Sequence, residues 1–320
     1  MQLSEISSAS NAQIRRAAAL LARSKARREE QAFVIEGLRL FMDTPQNLIE
    51  AVFVDRSAAA QMDRDGGRLA KRLEALAAQG AALYQIPDGL MAKVSDTAAP
   101  QGILAIVRRP QWTFADLLGG GMRMAGVPDN SAVRAVEMAG RRADAAIASA
   151  SGQPESEMND GGAAHRNPLL LILENVQDPG NLGTMFRTAE AAGVTGILMN
   201  RGTVDVTNPK TVRATMSAIF RVPFLVEEST DFAGALARLK AEGVRLYAAH
   251  LDGTAAYDRC SYIEGSGFLI GNEGNGLTPE TAALADELVK IPMCGQIESL
   301  NAAMAAGILL FEAARQRRQI

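Results

Sequence analysis

The chain is poor in cysteine and in aromatic residues, and neither sign of charge dominates it. Two cysteines, Cys260 and Cys294, are too few for a disulfide framework, which predicts a reducing compartment. Aromatic residues make up 5% of the 320 residues, too small a share for an extended platform on which nucleic-acid bases stack. The chain has 33 basic and 36 acidic residues, which excludes a uniformly basic protein that coats nucleic acid but does not exclude a local basic patch.

Long apolar stretches are also missing. No run approaches the roughly 20 apolar residues that a membrane span needs, and the first residues, Met1 to Glu5, lack the basic flank and apolar core of a secretory signal. We therefore expect a cytoplasmic protein with no membrane partner. With 48% hydrophobic and 22% charged residues, the composition is that of an ordinary globular protein. The length of 320 residues suits two compact domains.

The chain divides into three parts. Strands and helices alternate over residues 1–109, which predicts a small α/β domain. Glycine and proline interrupt residues 110–167, which we interpret as a linker with a mobile insertion. Over residues 168–320, short and nearly all-apolar strands alternate with helices, which predicts a parallel sheet covered on both faces. Chemistry is expected in the loops at the carboxyl ends of those strands.

The first of these loops leads into a helix that carries Arg187. After a Pro-Gly turn, Asn181 is predicted to be the helix N-cap, and Gly183 permits close approach of another backbone. Arg187 lies six residues beyond that cap, roughly 9 Å along the helix at ~1.5 Å per residue. Taken alone, Arg187 is also explained as a solvated arginine paired with Glu190 three residues on.

The second and third loops are rich in glycine and in small polar residues. Three glycines occur within the six residues from Gly271, and Glu273 is the only charge among them. This loop matches neither the dinucleotide fingerprint nor the phosphate loop, which disfavours NAD- and ATP-driven chemistry. The third loop follows a strand that ends at Ile291, and Ser299 is predicted to cap the final helix. A terminal helix that only packs would not need the polar pair Ser299 and Asn301 at its mouth.

In this order and near these spacings, the three loops resemble the SpoU/TrmH family of RNA 2′-O-ribose methyltransferases, within the SPOUT superfamily, over about residues 168–316. Residues 1–109 resemble the substrate-binding domain of many members, whose fold is like the ribosomal protein L30e and L7Ae group. The resemblance implies an α/β protein in which residues 168–320 form a parallel sheet with helices on both faces and a deep trefoil knot. Periodicity alone would never indicate a knot, because knots are nearly absent among folds.

The resemblance also implies a cofactor, S-adenosylmethionine, and a set of site residues. By motif match, the cofactor-binding positions are Gly271, Ile291, Met293 and Leu300. The catalytic positions are Arg187, Asn181, Glu273, Ser299 and Asn301. Because the pKa of a guanidinium lies above ~12, it is a poor general base. We therefore expect Arg187 to bind the phosphate beside the target ribose and to stabilise developing oxyanion character.

Basic residues are concentrated near the start of the chain, where Glu5 is the only acid among residues 1–28. This charge predicts phosphate contacts without sequence readout, and the alternative is a solvated helix face. The predicted RNA-binding residues are Arg15, Arg16, Arg23, Lys25, Arg27 and Arg28. A second basic group at the end of the chain either extends this surface or only complements a helix C-terminus; it comprises Arg315, Arg317 and Arg318.

The predicted function is transfer of a methyl group from S-adenosylmethionine to a ribose 2′-hydroxyl, with 23S ribosomal RNA favoured by the extra N-terminal domain. The alternatives are transfer RNA as substrate, a base nitrogen as acceptor, and a non-catalytic RNA-binding protein. The resemblance implies a homodimer through the knotted domain. His165 and His250 lie outside the motif loops, and with Cys260 and Cys294 they fit no zinc-ligand spacing, so no metal is expected.

Overall fold

The computed structural model describes residues 3–60, 67–97, 100–119 and 167–318, and every structural statement below concerns these residues. The first domain contains a mixed five-stranded sheet in the order β1-β4-β3-β5-β2. Strand β5 is antiparallel to both of its neighbours, and the other pairs are parallel. The strands are β1 (Ser4–Glu5), β2 (Ala32–Glu36), β3 (Ile49–Asp55), β4 (Ala82–Ile86) and β5 (Ile103–Arg108).

Helices cover both faces of this sheet. They are α1 (Ala12–Ala22), α2 (Ser24–Glu30), α3 (Leu38–Asp43), α4 (Arg56–Ala59), α5 (Arg68–Ala78) and α6 (Asp88–Met91). As predicted, Asn11 caps α1, because its side-chain oxygen accepts a hydrogen bond from the Gln13 amide at 2.8 Å. Ile14, Ala17 and Leu20 form the buried face of that helix, at the spacing of three residues that keeps side chains on one side.

The second domain contains a seven-stranded sheet in the order β10-β12-β9-β11-β6-β7-β8, and all of its pairs are parallel. Its strands are β6 (Leu169–Leu173), β7 (Gly196–Asn200), β8 (Phe224–Glu227), β9 (Arg245–Ala249), β10 (Ala255–Ala256), β11 (Ser266–Ile270) and β12 (Glu287–Lys290). Its helices are α8 (Pro179–Ala192), α9 (Pro209–Thr215), α10 (Phe232–Ala241), α11 (Pro279–Ala282) and α12 (Ala302–Arg317).

Strand β6 lies inside this sheet and shows why the sheet is covered on both faces. All five of its residues are buried, and successive side chains of a strand point to opposite faces. Leu169, Leu171 and Leu173 belong to one hydrophobic cluster, whereas Leu170 and Ile172 belong to another. The nearly all-apolar strands thus form the two-sided parallel sheet that the sequence predicts, and the predicted α/β fold class is confirmed.

The last strand and the last helix return to the interior of the second domain. Strand β12 lies between β9 and β10 rather than at an edge, and α12 packs against α8 at the start of the domain. The segment 291–301 therefore runs from β12 back to the loops that follow β6 and β11. This return is compatible with the threaded C-terminal segment that the resemblance implies. None of the described helices is both long enough and apolar enough to cross a membrane.

A short helix, α7 (Phe114–Leu117), follows the first domain within the stretch interpreted from sequence as linker. Phe114 and Leu117 are buried in the core on one face of the second sheet, beside Leu198. The packing of the second domain therefore includes residues that precede position 168. The rest of the predicted insertion, including His165, lies outside the described residues.

The two domains share a continuous contact. The rings of Phe33 and Phe220 stack with their centroids 6.0 Å apart, within one cluster of buried residues drawn from both sheets. Polar contacts surround this cluster, among them Arg27 with Asp205, Ser217 with Asp43 and Arg213 with Asp96. The first domain is therefore held against the face of the second that carries α9.

Candidate active site

Helix α8 begins three residues earlier than the sequence predicts. Asp178, not Asn181, is its N-cap, because the Asp178 side chain accepts a hydrogen bond from the Asn181 amide at 2.7 Å. Pro179 occupies the first helical position, where its missing N–H costs nothing. The prediction that Asn181 caps the helix is therefore wrong. The consequence for the site is that the Asn181 side chain is free to contact other loops.

Glu273, in the glycine-rich loop after β11, draws the loop after β6 towards it. Its two carboxylate oxygens accept hydrogen bonds from the backbone amides of Gln177 and Asp178, each at 3.1 Å, and from the Asn181 side chain at 3.0 Å. Burial alone raises the pKa of Glu273, but these hydrogen bonds outweigh it and hold the pKa below its ordinary value. Glu273 therefore acts as an ionised acceptor that orders the start of α8.

Asn301 connects the third loop to the same cluster. Its side-chain amide donates a hydrogen bond to Asn181 Oδ1 at 2.9 Å, and its oxygen accepts from the amides of Ala303 and Met304. Asn301 is thus the N-cap of α12, and the prediction that Ser299 caps this helix is wrong. We call Glu273, Asn181 and Asn301 the polar triad, since a chain of hydrogen bonds through them joins all three motif loops.

Arg187 is exposed on α8, six residues beyond Asn181. It makes no hydrogen bond or ion pair with any described residue. The alternative pairing with Glu190 is absent, because both Glu190 oxygens bind the guanidinium of Arg221. Ser299 is also exposed and bonds to none of the polar triad. The structure therefore brings three of the five predicted catalytic residues into direct contact and leaves Arg187 available to a ligand.

Close packing on two sides fixes the position of α8. A Cβ atom on Gly183 would lie 2.3 Å from Ala214 Cβ and 2.9 Å from the Thr211 carbonyl oxygen, so the predicted close backbone approach at Gly183 is confirmed, with α9 as the partner. On another side, Gly307 of α12 faces Thr188 of α8. Gly183 therefore lets α9 lie directly against the arginine-bearing helix, whereas a Cβ atom on Gly307 would meet Thr188 at an ordinary 3.5 Å.

The predicted cofactor positions fall into two groups. Gly271 has a structural reason to be glycine, because a Cβ atom there would lie 2.1 Å from the backbone of Gly276 across a tight turn. In the third loop, Met293 and Leu300 are 36% and 37% exposed, and Ile291 is partly buried against the core. Among the described residues, positions 292–300 make no backbone hydrogen bond. This loop therefore presents apolar side chains together with free backbone donors and acceptors.

Several residues that support the site were missed in the sequence analysis. Glu174 is buried at the end of β6, and its carboxylate accepts hydrogen bonds from Thr278 and Thr281, which ties the loop after β11 to β6. Gln177 donates to the carbonyl of Gly202, beside the end of β7. Two sequence signals could have found these residues. Glu174 is a charged residue directly after an apolar strand, and Asp178, the true cap of α8, is an aspartate directly before a proline.

The predicted RNA-binding residues lie on two short helices, and they differ in availability. Arg15, Arg23, Lys25 and Arg28 are exposed. Arg16 binds Glu30 and Glu50, which are distant along the chain. Arg27 is only 5% exposed; it bonds to Asp205 at 2.8 Å and to the carbonyls of Leu20 and Leu21. Arg27 thus joins the two domains, and its geometry does not support the predicted RNA contact.

The remaining chemically notable groups stay apart from the polar triad. His250 contacts Asp252 through Nδ1, and Cys260 Sγ lies 3.4 Å from a Glu287 carboxylate oxygen. Within the described ranges, no group of three or more histidine, cysteine, aspartate or glutamate residues has metal-site geometry. At the end of the chain, Arg317 donates to four backbone carbonyls, so it has a structural role.

Comparison with known families matches both domains. Residues 168–311 match the SpoU rRNA Methylase family, and residues 11–105 match the MRM3-like substrate binding domain. A solved AdoMet-bound rRNA methyltransferase from Sinorhizobium meliloti is 28% identical, with a TM-score of 0.70 and coverage of 98% of each chain. The domain order and the fold are therefore those of a known group of proteins.

Two curated bacterial proteins are similar over about half of the chain. The 23S rRNA (guanosine(2553)-2′-O)-methyltransferase RlmP of Bacillus subtilis is 39% identical over 44% of this chain and 56% of its own length. The 23S rRNA (guanosine-2′-O-)-methyltransferase RlmB of Xanthomonas campestris is 41% identical over 48% of this chain and 61% of its own length. The chain thus spans less than two thirds of the length of these relatives.

Proposed function

We propose that the chain, whose residues 168–311 match the SpoU rRNA Methylase family, is an RNA 2′-O-ribose methyltransferase that uses S-adenosylmethionine and acts on 23S ribosomal RNA. The observation that carries this proposal is the polar triad, which joins the three motif loops beside the helix that holds Arg187. An RNA-binding protein without chemistry has no need for such a junction between three distant loops.

The third loop fits the proposed cofactor by its chemistry. The adenine of S-adenosylmethionine needs apolar surface, and its polar edges need hydrogen-bond partners. Met293 and Leu300 offer exposed apolar side chains, and residues 292–300 offer backbone groups that no other described residue occupies. Ile291 forms the floor of the same loop against the core. We therefore assign cofactor binding to this loop and to the turn that begins at Gly271.

The methyl group would pass from the sulfonium sulfur to the ribose 2′-oxygen, leaving S-adenosylhomocysteine, and the hydroxyl proton would pass to solvent. S-adenosylmethionine would supply the methyl group already activated, so this chain must orient the ribose and stabilise the oxygen as its proton leaves. Arg187 is free and exposed, and we assign it to the phosphate beside the target ribose and to the charge on that oxygen. The polar triad positions α8, and we assign Ser299, two residues before Asn301 and exposed, to the same site.

The substrate is assigned from the relatives and from the domain order. RlmP and RlmB are both named as acting on 23S ribosomal RNA, and residues 11–105 match a substrate binding domain. We assign to that domain, residues 1–109, the role of holding RNA through the exposed Arg15, Arg23, Lys25 and Arg28. Residues 168–320 are assigned as the methyltransferase domain. Transfer RNA remains the alternative substrate.

We further infer that the chain acts as a homodimer through its second domain. Met304 and Phe311 are 61% and 46% exposed although both are large and apolar, and they lie seven residues apart on one face of α12. Ile297, 67% exposed, lies in the adjoining loop. The double variant Met304→Lys with Phe311→Lys should be monomeric by light scattering. A dimer of unchanged mass in that variant would contradict this interface.

The function is tested by supplying S-adenosylmethionine and purified protein to ribosomal RNA and to transfer RNA that lack the modification. Digestion to nucleosides and mass spectrometry would then identify the product. A 2′-O-methylated nucleoside from 23S ribosomal RNA is expected. The same product from transfer RNA alone would replace the substrate, a base-methylated nucleoside would replace the acceptor, and no product from either RNA would contradict the proposed enzyme.

A further inference from the structure

A cavity of about 180 Å³ lies at the junction of the two domains, away from the polar triad. Its walls come from α2 and the end of β5 in the first domain, and from the carboxyl ends of β7 and β8 in the second. Three arginines from separate parts of the chain line it, namely Arg28, Arg109 and Arg201. Arg28 is among the RNA-binding residues assigned above, whereas Arg109 and Arg201 have no role in the proposed function.

Arg109 is the most informative member of this cavity. Its guanidinium lies over the ring of Phe224, 5.3 Å from the ring centroid, and it forms no hydrogen bond or ion pair with any described residue. Burial lowers its pKa from the ordinary value, yet an arginine stays charged at neutral pH. Arg109 is only partly buried, but a partly buried charge without a hydrogen-bonded partner still costs free energy, and an anion in the cavity would lower that cost.

The acidic residues near the cavity offset the charge of these arginines only in part, since burial lowers the pKa of Arg109 more than the charge of Asp205 raises it. Asp205 lines the cavity, but its carboxylate already accepts hydrogen bonds from Arg27, at 2.8 Å, and from Thr207. Glu228 lies 3.7 Å from Arg201, a loose pair in which both side chains remain exposed. Three positive charges therefore converge on a space that is ample for a phosphate group, since one water needs only about 10–15 Å³ of such volume.

The cavity is linked to the candidate active site by position and by hydrogen bonds. Asn200, in the cavity wall at the end of β7, bonds to both the backbone and the side chain of Asn175. Gln177 bonds to Gly202 on one side and to Glu273 on the other. Strands β11, β6 and β7 are neighbours in the parallel sheet, so the loops at their carboxyl ends lie side by side. Glu273 follows β11 and Asn200 ends β7, two strands away, which corresponds to about 10 Å at roughly 4.8 Å per strand.

We propose that this cavity binds a phosphodiester of the RNA substrate, at a nucleotide other than the one that receives the methyl group. The proposal rests on the function above and adds a contact that both domains share. A planar guanidinium can donate to two phosphate oxygens at once, and Arg28 and Arg109 of the first domain line the same cavity as Arg201 of the second. RNA bound there would be held in register with Arg187.

The test compares Arg109→Gln and Arg201→Gln with the matched control Arg238→Gln. Arg238 also lies over an aromatic ring, that of Phe114, but on the opposite face of the second domain. Binding of a short fluorescein-labelled single-stranded RNA is measured by anisotropy over a range of salt concentrations. Each cavity variant should bind about tenfold more weakly and reduce the slope of log K against log salt by about 0.7–0.9. The control should match the unaltered protein.

The outcomes separate this proposal from the proposed function. Binding of S-adenosylhomocysteine and the melting temperature should be unchanged in Arg201→Gln, whose side chain is exposed, so a loss of RNA affinity there reports the cavity rather than misfolding. Unchanged affinity and salt slope in both cavity variants would overturn the cavity assignment even if methyl transfer is demonstrated. Lost RNA affinity in a protein without methyl transfer would support the cavity and overturn the enzyme. A further measurement is the displacement of the RNA by inorganic phosphate at constant ionic strength. Equal displacement from the cavity variants and from the control would also contradict the cavity site.

Discussion

The polar triad and the basic residues of the α1–α2 segment both supply polar side chains, but the partners of those side chains differ in kind. In the polar triad, three residues from three loops bond to one another and leave Arg187 unoccupied. In the basic helices, Arg16 and Arg27 are occupied by carboxylates from other parts of the chain. The polar residues of the motif loops thus bond to one another, whereas a run of charge in the sequence does not reveal which of its members face solvent.

The largest predicted effect is on methyl-transfer turnover, when Arg187, the arginine of the site without a bonded partner among the described residues, is replaced. Arg187→Ala should lower methyl-transfer turnover by about 10²–10³-fold, since it removes a donor to the charge that develops in the transition state. Affinity for S-adenosylhomocysteine, measured by calorimetry, should remain. Arg221→Ala is the matched control, because Arg221 is also exposed but is paired with Glu190. An Arg187→Ala enzyme with full turnover would show that the exposed arginine is only a surface residue.

The opposite pattern should hold for the occupied arginine of the basic helices. Arg27→Gln should lower the free energy of unfolding by about 2–3 kcal/mol, because Asp205 loses its partner at a mostly buried position. Arg23→Gln, one helix turn away and exposed, should stay within about 0.5 kcal/mol. Denaturant unfolding measures both. Equal stability of the two variants would mean that Arg27 does not join the domains.

The junction between the loops can be separated from simple helix capping. Asn301→Ala and Asn208→Ala each remove an asparagine N-cap, from α12 and α9, and each should cost about 1 kcal/mol of stability. Only Asn301 also bonds to Asn181. Weaker binding of S-adenosylhomocysteine is therefore expected in Asn301→Ala alone, by calorimetry. Equal affinity in both variants would mean that Asn301 acts only as a helix cap.

The smallest effect concerns pH. The folded pKa of Glu273 is held below its ordinary value, so its stabilising contribution is complete above the unfolded pKa of about 4.3 and is lost as pH falls through the lower folded value. The difference in stability between the unaltered protein and Glu273→Gln should be constant above about pH 5 and shrink below about pH 4. Thermal unfolding across that range measures it. A difference independent of pH would mean that the carboxylate charge orders nothing.

Much of the fold followed from local pattern, and the errors have local causes. Strand β6 was predictable because five apolar residues are bounded by polar ones, and such a run is stable only when buried on both faces. The start of α8 was placed at Asn181 because asparagine is a good cap, but Asp178 before Pro179 is the stronger signal. Ser299 is a plausible cap for α12 by residue type, but Asn301, two residues later and of another good capping type, is the cap that forms.

Other features depend on partners that are remote along the chain. The role of Arg27 depends on Asp205, 178 residues away, and no periodicity connects them. The cavity at the domain junction likewise joins Arg28, Arg109 and Arg201, which are unremarkable singly. The identity of the three loops came from resemblance rather than from spacing, and so did the expected knot. Local chemistry predicts elements and caps, whereas contacts between domains need the tertiary structure.

The central claim is that the three loops joined by the polar triad form a single pocket for S-adenosylmethionine. Isothermal titration of the folded protein with S-adenosylhomocysteine tests it most directly. The account predicts saturable binding at one site per chain, weakened by Glu273→Gln because that variant replaces the acceptor of three hydrogen bonds. Absence of binding to protein that is demonstrably folded, or equal binding by Glu273→Gln, would contradict it.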